Sequence, residues 1–343
     1  LDSGATVNVS HNIGGVASDS LTNIEGIKGS TTASNTLIGN NMNNTLIGGN
    51  QTDTIKGVSG NNSLSGGAGN DTIFAGSGSD IIDGGAGDDW LDYTDLASTN
   101  VSVNLRNNTA TYGSSTDSIT AIEHLKMGNG TNTVQGNSYS NSFIGGTGTD
   151  TLSYSEAASG VTVNVTSAGA GTSSGDGADV FTGFENYTLS SNADTANLSG
   201  VFGSTIDGGA LSDTASYSSV AASLTVTVDS GNTSATVYDG TKTDTLQSIE
   251  KILGGDGNDT FIVSNATGLD TLVTGIDTLD GDGGTNTLQL SGTLNLSAVT
   301  LLNFQNLEIA NGDTLTLNAV DLSGKTMNIT MNGTGSLVIV SDA

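Results

Sequence analysis

Apolar side chains recur every nine residues from Gly39 onward. The stretch 39–92 divides into six nonamers: GNNMNNTLI, GGNQTDTIK, GVSGNNSLS, GGAGNDTIF, AGSGSDIID and GGAGDDWLD. The eighth place is always aliphatic, as Leu46, Ile55, Leu64, Ile73, Ile82 and Leu91, and its neighbours are mostly polar. A three-residue strand that turns only its central side chain inward satisfies that pattern. The other six places are rich in Gly, Asn, Asp and Ser and predict a turn. Two nonamers then make one coil with a strand on each side. Stacked coils put Leu46, Leu64 and Ile82 in one interior ladder and Ile55, Ile73 and Leu91 in the facing one.

A second block, 127–153, reads MGNGTNTVQ, GNSYSNSFI and GGTGTDTLS, and single units recur at Gly208, Gly254 and, degraded, at Gly281. Between them lies a longer repeat. Segments beginning near Tyr93, Tyr154 and Tyr217 end in alternating β-branched residues, the period of a strand. Segments such as "LTNIEGIKGS", "ITAIEHLKMG" and "LQSIEKILGG" place a Glu after an apolar residue, at Glu25, Glu123 and Glu250; Glu185 and Gln305 stand in the equivalent places. No window sustains a helical period. The expected organisation is a partial leading module (1–38), a first nonamer block (39–92), a β spacer (93–126), a second block (127–153), degenerate β modules (154–253), and a last remnant running into solenoid strands (254–343).

Composition narrows the class. The 343 residues include 50 Gly, no Pro and no Cys, with 4% aromatics, which suits a core of thin aliphatic layers. The net charge of −28 leaves no basic stripe for nucleic acid. It also opposes an anionic membrane surface. The absence of Cys excludes disulfides and thiolate metal sites. No apolar run reaches the roughly 20 residues of a membrane helix. The opening "LDSGATVNVS" is neither a signal peptide nor an initiator start, so a processed or excised chain is expected.

The sixth place of every nonamer in the first block is Asp or Asn: Asn44, Asp53, Asn62, Asp71, Asp80 and Asp89. Coil stacking superposes Asp53, Asp71 and Asp89. At a strand spacing of roughly 4.8 Å and an effective dielectric near 20, each such pair costs on the order of 3 kcal/mol. A divalent cation between turns reverses the sign. Calcium suits oxygen ligands that include backbone carbonyls, and glycine frees those carbonyls to turn. Zinc is disfavoured, since His11 and His124 are the two histidines.

These units resemble the RTX (repeats-in-toxin) nonapeptide G-G-x-G-x-D-x-U-x, where U is a large apolar residue. The units starting at Gly66, Gly84, Gly145 and Gly254 match every defined place. The resemblance implies an all-β fold of parallel β-roll or β-helix coils holding several Ca2+ ions. It implies that sixth-place side chains two nonamers apart share an ion, with early turn carbonyls completing the shell. Carried over, the pairs are Asp53 with Asp71, Asp71 with Asp89, and, more weakly, Asn62 with Asp80 and Asn132 with Asp150. Turn glycines Gly49, Gly67, Gly69, Gly76, Gly78, Gly85, Gly87, Gly146 and Gly148 belong to the same set. Asp213 and Asp259 lack clean partners, although Asp277 falls two nonamer lengths after Asp259.

Asn44, Asn132 and Asn141 fit ordinary Asx-turns as well as a cation-facing role. The Glu residues of the Ile-Glu segments read as solvated or cation-bridging, His124 as a surface residue, and Trp90 as edge packing. With no nucleophile or acid–base constellation, no enzymatic activity is expected. The expected function is that of a secreted, calcium-stiffened surface rod, first as a bacterial surface-layer component. A segment of a large adhesin and the non-catalytic carrier part of a secreted enzyme are the alternatives. Self-association into a lattice or filament is expected, with cell-surface polysaccharide as a further partner and type I secretion implied by the resemblance.

Overall fold

A three-residue strand makes too few ladder bonds to stand alone, and the repeat offers it the strand two nonamers further on as a partner. That pairing is present in the computed structural model, which describes residues 6–12, 16–22, 25–228, 234–264, 271–272, 276–319 and 326–340. Side chains of residues 6–24 and 271–272 lie outside this description. The protein is all-β and forms two compact units, 1–153 with 176–184, and 154–175 with 185–343.

In the first unit, strands Asn35–Ile38, Thr54–Lys56, Thr72–Phe74, Trp90–Asp92, His124–Lys126, Ser142–Ile144 and Val180–Thr182 run parallel in one sheet. An antiparallel hairpin, Thr6–Asn12 and Val16–Thr22, begins this sheet. The second sheet stacks Gly26–Lys28, Thr45–Gly49, Ser63–Ala68, Ile81–Ala86 and Ser115–Thr120 in parallel. The two expected ladders are in register: Leu46 pairs with Leu64 and Leu64 with Ile82, while Ile55 pairs with Ile73 and Ile73 with Leu91. All six are at most 1% exposed, so each contributes the roughly 1.5–3 kcal/mol of a fully buried aliphatic side chain.

The segment 93–126 is woven into these sheets. Its strands Ser102–Asn104, Thr109–Tyr112 and Ser115–Thr120 form an antiparallel meander inside the second sheet, and Ser102–Asn104 then pairs in parallel with Thr133–Gln135. Its Ile-Glu strand takes a rung of the first sheet, where Leu125 stacks between Leu91 and Phe143. The 3-10 turn Thr94–Leu96 follows Tyr93.

The second unit repeats the scheme with a meander of Thr225–Val228, Ser234–Tyr238 and Thr243–Gln247. Its C-terminal part departs from the two-sided coil. Strands Thr271–Leu272, Leu294–Asn295, Thr314–Asn318 and Ser336–Val340 make a third parallel sheet. Alternating apolar residues look the same in two-sided and three-sided coils, so the sequence pattern alone does not predict this sheet.

Candidate metal centre

Each sixth-place aspartate turns its side chain inward beneath its own turn. Asp53, Asp71, Asp80, Asp89 and Asp213 are at most 1% exposed. One carboxylate oxygen locks the stack. Oδ1 of Asp71 accepts the backbone N–H of Asp53 at 2.7 Å, and Oδ1 of Asp89 accepts that of Asp71 at 2.7 Å. Oδ1 of Asp80 accepts the N–H of Asn62 at 2.6 Å, and Oδ1 of Asp213 that of Asp194 at 2.7 Å. The second oxygen, Oδ2, of Asp53, Asp71, Asp80, Asp89 and Asp213 is buried with no hydrogen-bond partner. An orphaned charged acceptor is costly.

Burial pushes the Asp71 and Asp80 carboxyls up to about 6, helped by Asp89 and Asp53 beside Asp71 and by Asp117 beside Asp80. Asp213 is pushed up to about 7 by burial, then by Asp194 and Glu250. Burial also raises Asp53 and Asp89.

The orphan oxygens face backbone carbonyls of the next coil. A Cβ built on Gly48 would lie 2.5 Å from both Asp53 Oδ2 and the Gly66 carbonyl oxygen. The same cradle recurs at Gly66, between Asp71 Oδ2 and the Gly84 carbonyl. The turns stay open because Gly67 and Gly85 have φ of +107° and +104°, and a side chain at Gly85 would strike the Gly67 carbonyl. Gly69, Gly76, Gly78, Gly87, Gly146 and Gly148 share positive φ, and Gly49 pairs in register with Gly67. Among the described residues no group of three or more His, Cys, Asp or Glu side chains converges as a metal site. A cation here would therefore be held by paired carboxylates and carbonyls, all hard oxygen donors, as calcium prefers.

The asparagines behave differently from the ligand role expected of them. Asn132 Nδ2 donates to the carbonyl oxygens of Gly128, Gly130 and Gly145 at 3.1–3.2 Å. Asn62 Nδ2 donates to the Gly60 carbonyl at 3.0 Å. The amide supplies its own positive edge to the carbonyls that would otherwise face a cation. Asn62 and Asn132 thus satisfy the turns themselves, although they remain stacked with Asp80 and Asp150 through backbone N–H bonds of 2.6 and 2.7 Å.

Asp259 and Asp277 do not pair. Asp259 accepts Leu224 N–H on Oδ1 and Gly255 N–H on Oδ2, and its own N–H goes to Asn286, 27 residues on. Asp277 is exposed and stands over Glu250, since Thr278 pairs with Lys251. The coil between Asp259 and Asn286 is longer than two nonamers, so the simple spacing fails there.

Sequence reasoning missed the same side-chain role at Asp117, Asp179, Asp194 and Asp244. Asp117 Oδ1 accepts the Asp80 N–H at 2.9 Å, Asp179 that of Asn141 at 2.9 Å, Asp194 that of Val161, and Asp244 that of Ser204 at 2.8 Å. The available signal was D-x-U-x in "DSIT", "DTLQ" and, with Ala at U, "DTAN", without a nonamer glycine turn before it, and in "DVFT", which follows the turn "SGDGA" that lacks only the first glycine of the nonamer. Asp117 and Asp244 carry an internal cap: Tyr93 OH donates to Asp117 Oδ2 at 2.9 Å and Tyr217 OH to Asp244 Oδ2 at 3.0 Å. Tyr93→Phe is expected to leave Asp117 Oδ2 bare and to destabilise by about 1–3 kcal/mol, read by denaturant unfolding in saturating calcium. An unchanged midpoint would refute the cap. Trp90 packs on His124 with ring centroids 4.8 Å apart.

The fold and these columns define a β-roll of stacked acidic turns. A family model, the RTX calcium-binding nonapeptide repeat, matches residues 30–64, 56–91, 128–156 and 249–264. The chain carries this repeat in four matched stretches, which cover about a third of it. No curated protein matches the chain.

Proposed function

We propose that the protein is a calcium-dependent extracellular structural element, and that its best specific reading is a bacterial surface-layer component without catalytic activity. The carrying observation is the column of buried carboxylates, each with one oxygen bonded to the stack and one left for a cation. RTX repeats support a calcium-binding structural role. Calcium, when bound, supplies the positive charge that makes stacked carboxylates tolerable. The low calcium of the cytosol would leave the chain self-repelling and exportable, and binding outside would supply folding free energy. Among the described residues no helix is long and apolar enough to cross a membrane.

The adhesin reading draws on a cavity of about 280 Å³ in the first unit, lined by Arg106, Asn108, Glu123, Asn137 and Tyr139 among others. Tyr139 is 73% exposed there, a ring on which a sugar could stack. Light scattering and electron microscopy during calcium addition separate the two. Ordered sheets support the surface layer. A calcium-loaded monomer that binds cell-surface polysaccharide overturns it in favour of the adhesin.

A further inference from the structure

The acidic columns do not end in open turns. After Asp53, Asp71 and Asp89, the next rung is Glu123, whose Oε2 accepts the Asp89 N–H at 2.9 Å. In the second unit, Glu250 Oε2 accepts the Asp213 N–H at 2.8 Å. Strand register agrees, with Trp90 opposite His124 and Thr214 opposite Lys251. Each glutamate therefore repeats the stacking bond of a sixth-place aspartate from a segment that lacks the glycine turn.

The rest of the cradle is repeated too. Ala121 and Ser248, two residues before each glutamate, both have φ of +49°. Their carbonyl oxygens lie against Gly84 and Gly208, where an added Cβ would collide with them. The same Cβ positions would be 2.7 Å from Asp89 Oδ2 and 2.8 Å from Asp213 Oδ2. Both aspartates are fully buried, and those oxygens have no partner.

A third copy shows what happens when no cation is needed. Gln305 Oε1 accepts the Asn286 N–H at 2.6 Å, and Asn303, two residues before Gln305, has φ of +57°. Here Asn286 Nδ2 donates to the Asn303 carbonyl at 3.0 Å and to the Gly283 carbonyl at 2.8 Å. Both acids are replaced by amides together, and the amide nitrogen takes the carbonyl that Ala121 and Ser248 present elsewhere.

We propose that Glu123 and Glu250 each complete a divalent-cation site, with Asp89 and the Ala121 carbonyl in one case and with Asp213 and the Ser248 carbonyl in the other. The donors are hard oxygens, so the ligand is calcium. The inference rests on the calcium reading of the aspartate columns. Each ion joins residues 34 or 37 apart and so clasps both ends of an inserted segment.

The test is the number of ions bound to the intact chain, counted by native mass spectrometry in saturating calcium. Glu123→Gln and Glu250→Gln are each expected to lose one ion and the double variant two, with the β circular dichroism signal retained. Gln305 is the precedent for a glutamine that keeps the backbone bond. Terbium luminescence sensitised by Trp90, the one tryptophan, should fall in Glu123→Gln and not in Glu250→Gln. Asp71→Asn is the control and should lose two. If Asp71→Asn loses ions while both glutamine variants lose none, the closing sites are overturned and the aspartate columns stand. If Asp71→Asn also loses none, the column reading itself fails. Should Glu250→Gln unfold, Asp213→Asn with Glu250→Gln copies the Asn286–Gln305 pair and is expected to refold with one ion fewer. Full wild-type stoichiometry in that refolded double variant would overturn the proposal.

Discussion

Chelation of calcium is expected to abolish most amide protection over residues 45–92 while residues 286–318 keep theirs. In the first segment, Asp53, Asp71, Asp89 and Glu123 stack by direct bonds. Three like-charged contacts at roughly 3 kcal/mol each oppose folding by an amount comparable to the whole stability of a domain, about 5–15 kcal/mol. In the second segment, Asn286 and Gln305 occupy the equivalent rungs and bring their own donors. Hydrogen exchange resolved by segment makes the comparison, with circular dichroism following the coil-to-β change as calcium returns. Magnesium, which demands a stricter octahedron, should not restore it. Equal protection in both segments under chelator, or restoration by magnesium, contradicts the assignment.

Acid is expected to act as a partial substitute for the metal and as its competitor. In the metal-free fold, Asp71 and Asp80 titrate near 6 and Asp213 near 7, above the ordinary carboxyl value of 3.8. The folded state then holds more protons than the unfolded chain between about pH 4 and 7, so its stability rises as pH falls through that window and is lost as pH climbs past the folded values. Calcium needs the ionised carboxylates, so its affinity falls over the same range. In chelator, the β signal should be greater at about pH 5 than at pH 8. High salt screens long-range repulsion but delivers no proton, so the difference should persist there. A chelated chain with equal β signal at both pH values, or one in which salt erases the difference, counts against these carboxylates as the cause.

The ladders were legible because their period is strict: Leu46, Leu64 and Ile82 must stack if nonamers pair two apart, and they do. The orientation of Asn62 and Asn132 was not, because an amide and a carboxylate have nearly the same shape and differ in which edge faces the carbonyls. For Glu123 and Glu250 the sequence offered a solvated or a cation-bridging role, but their partners were hidden, since a meander separates each from its aspartate. The frame E-x-U-x in "EHLK" and "EKIL" held the clue. Asp277 shows the opposite hazard. Its separation of two nonamer lengths from Asp259 is a coincidence of counting in a coil that is longer there.

The tyrosine-capped aspartates carry a consequence for how the chain assembles. Tyr93 on Asp117 and Tyr217 on Asp244 close their rungs with a phenolic proton held inside the coil. Those bonds need no cation, so a depleted chain is expected to retain ordered islands within a loosened polymer. Regrowth in a repeat protein spreads from any formed neighbour. Resupply of the ion would therefore extend existing seeds, and recovery should be faster than first folding from a fully denatured chain.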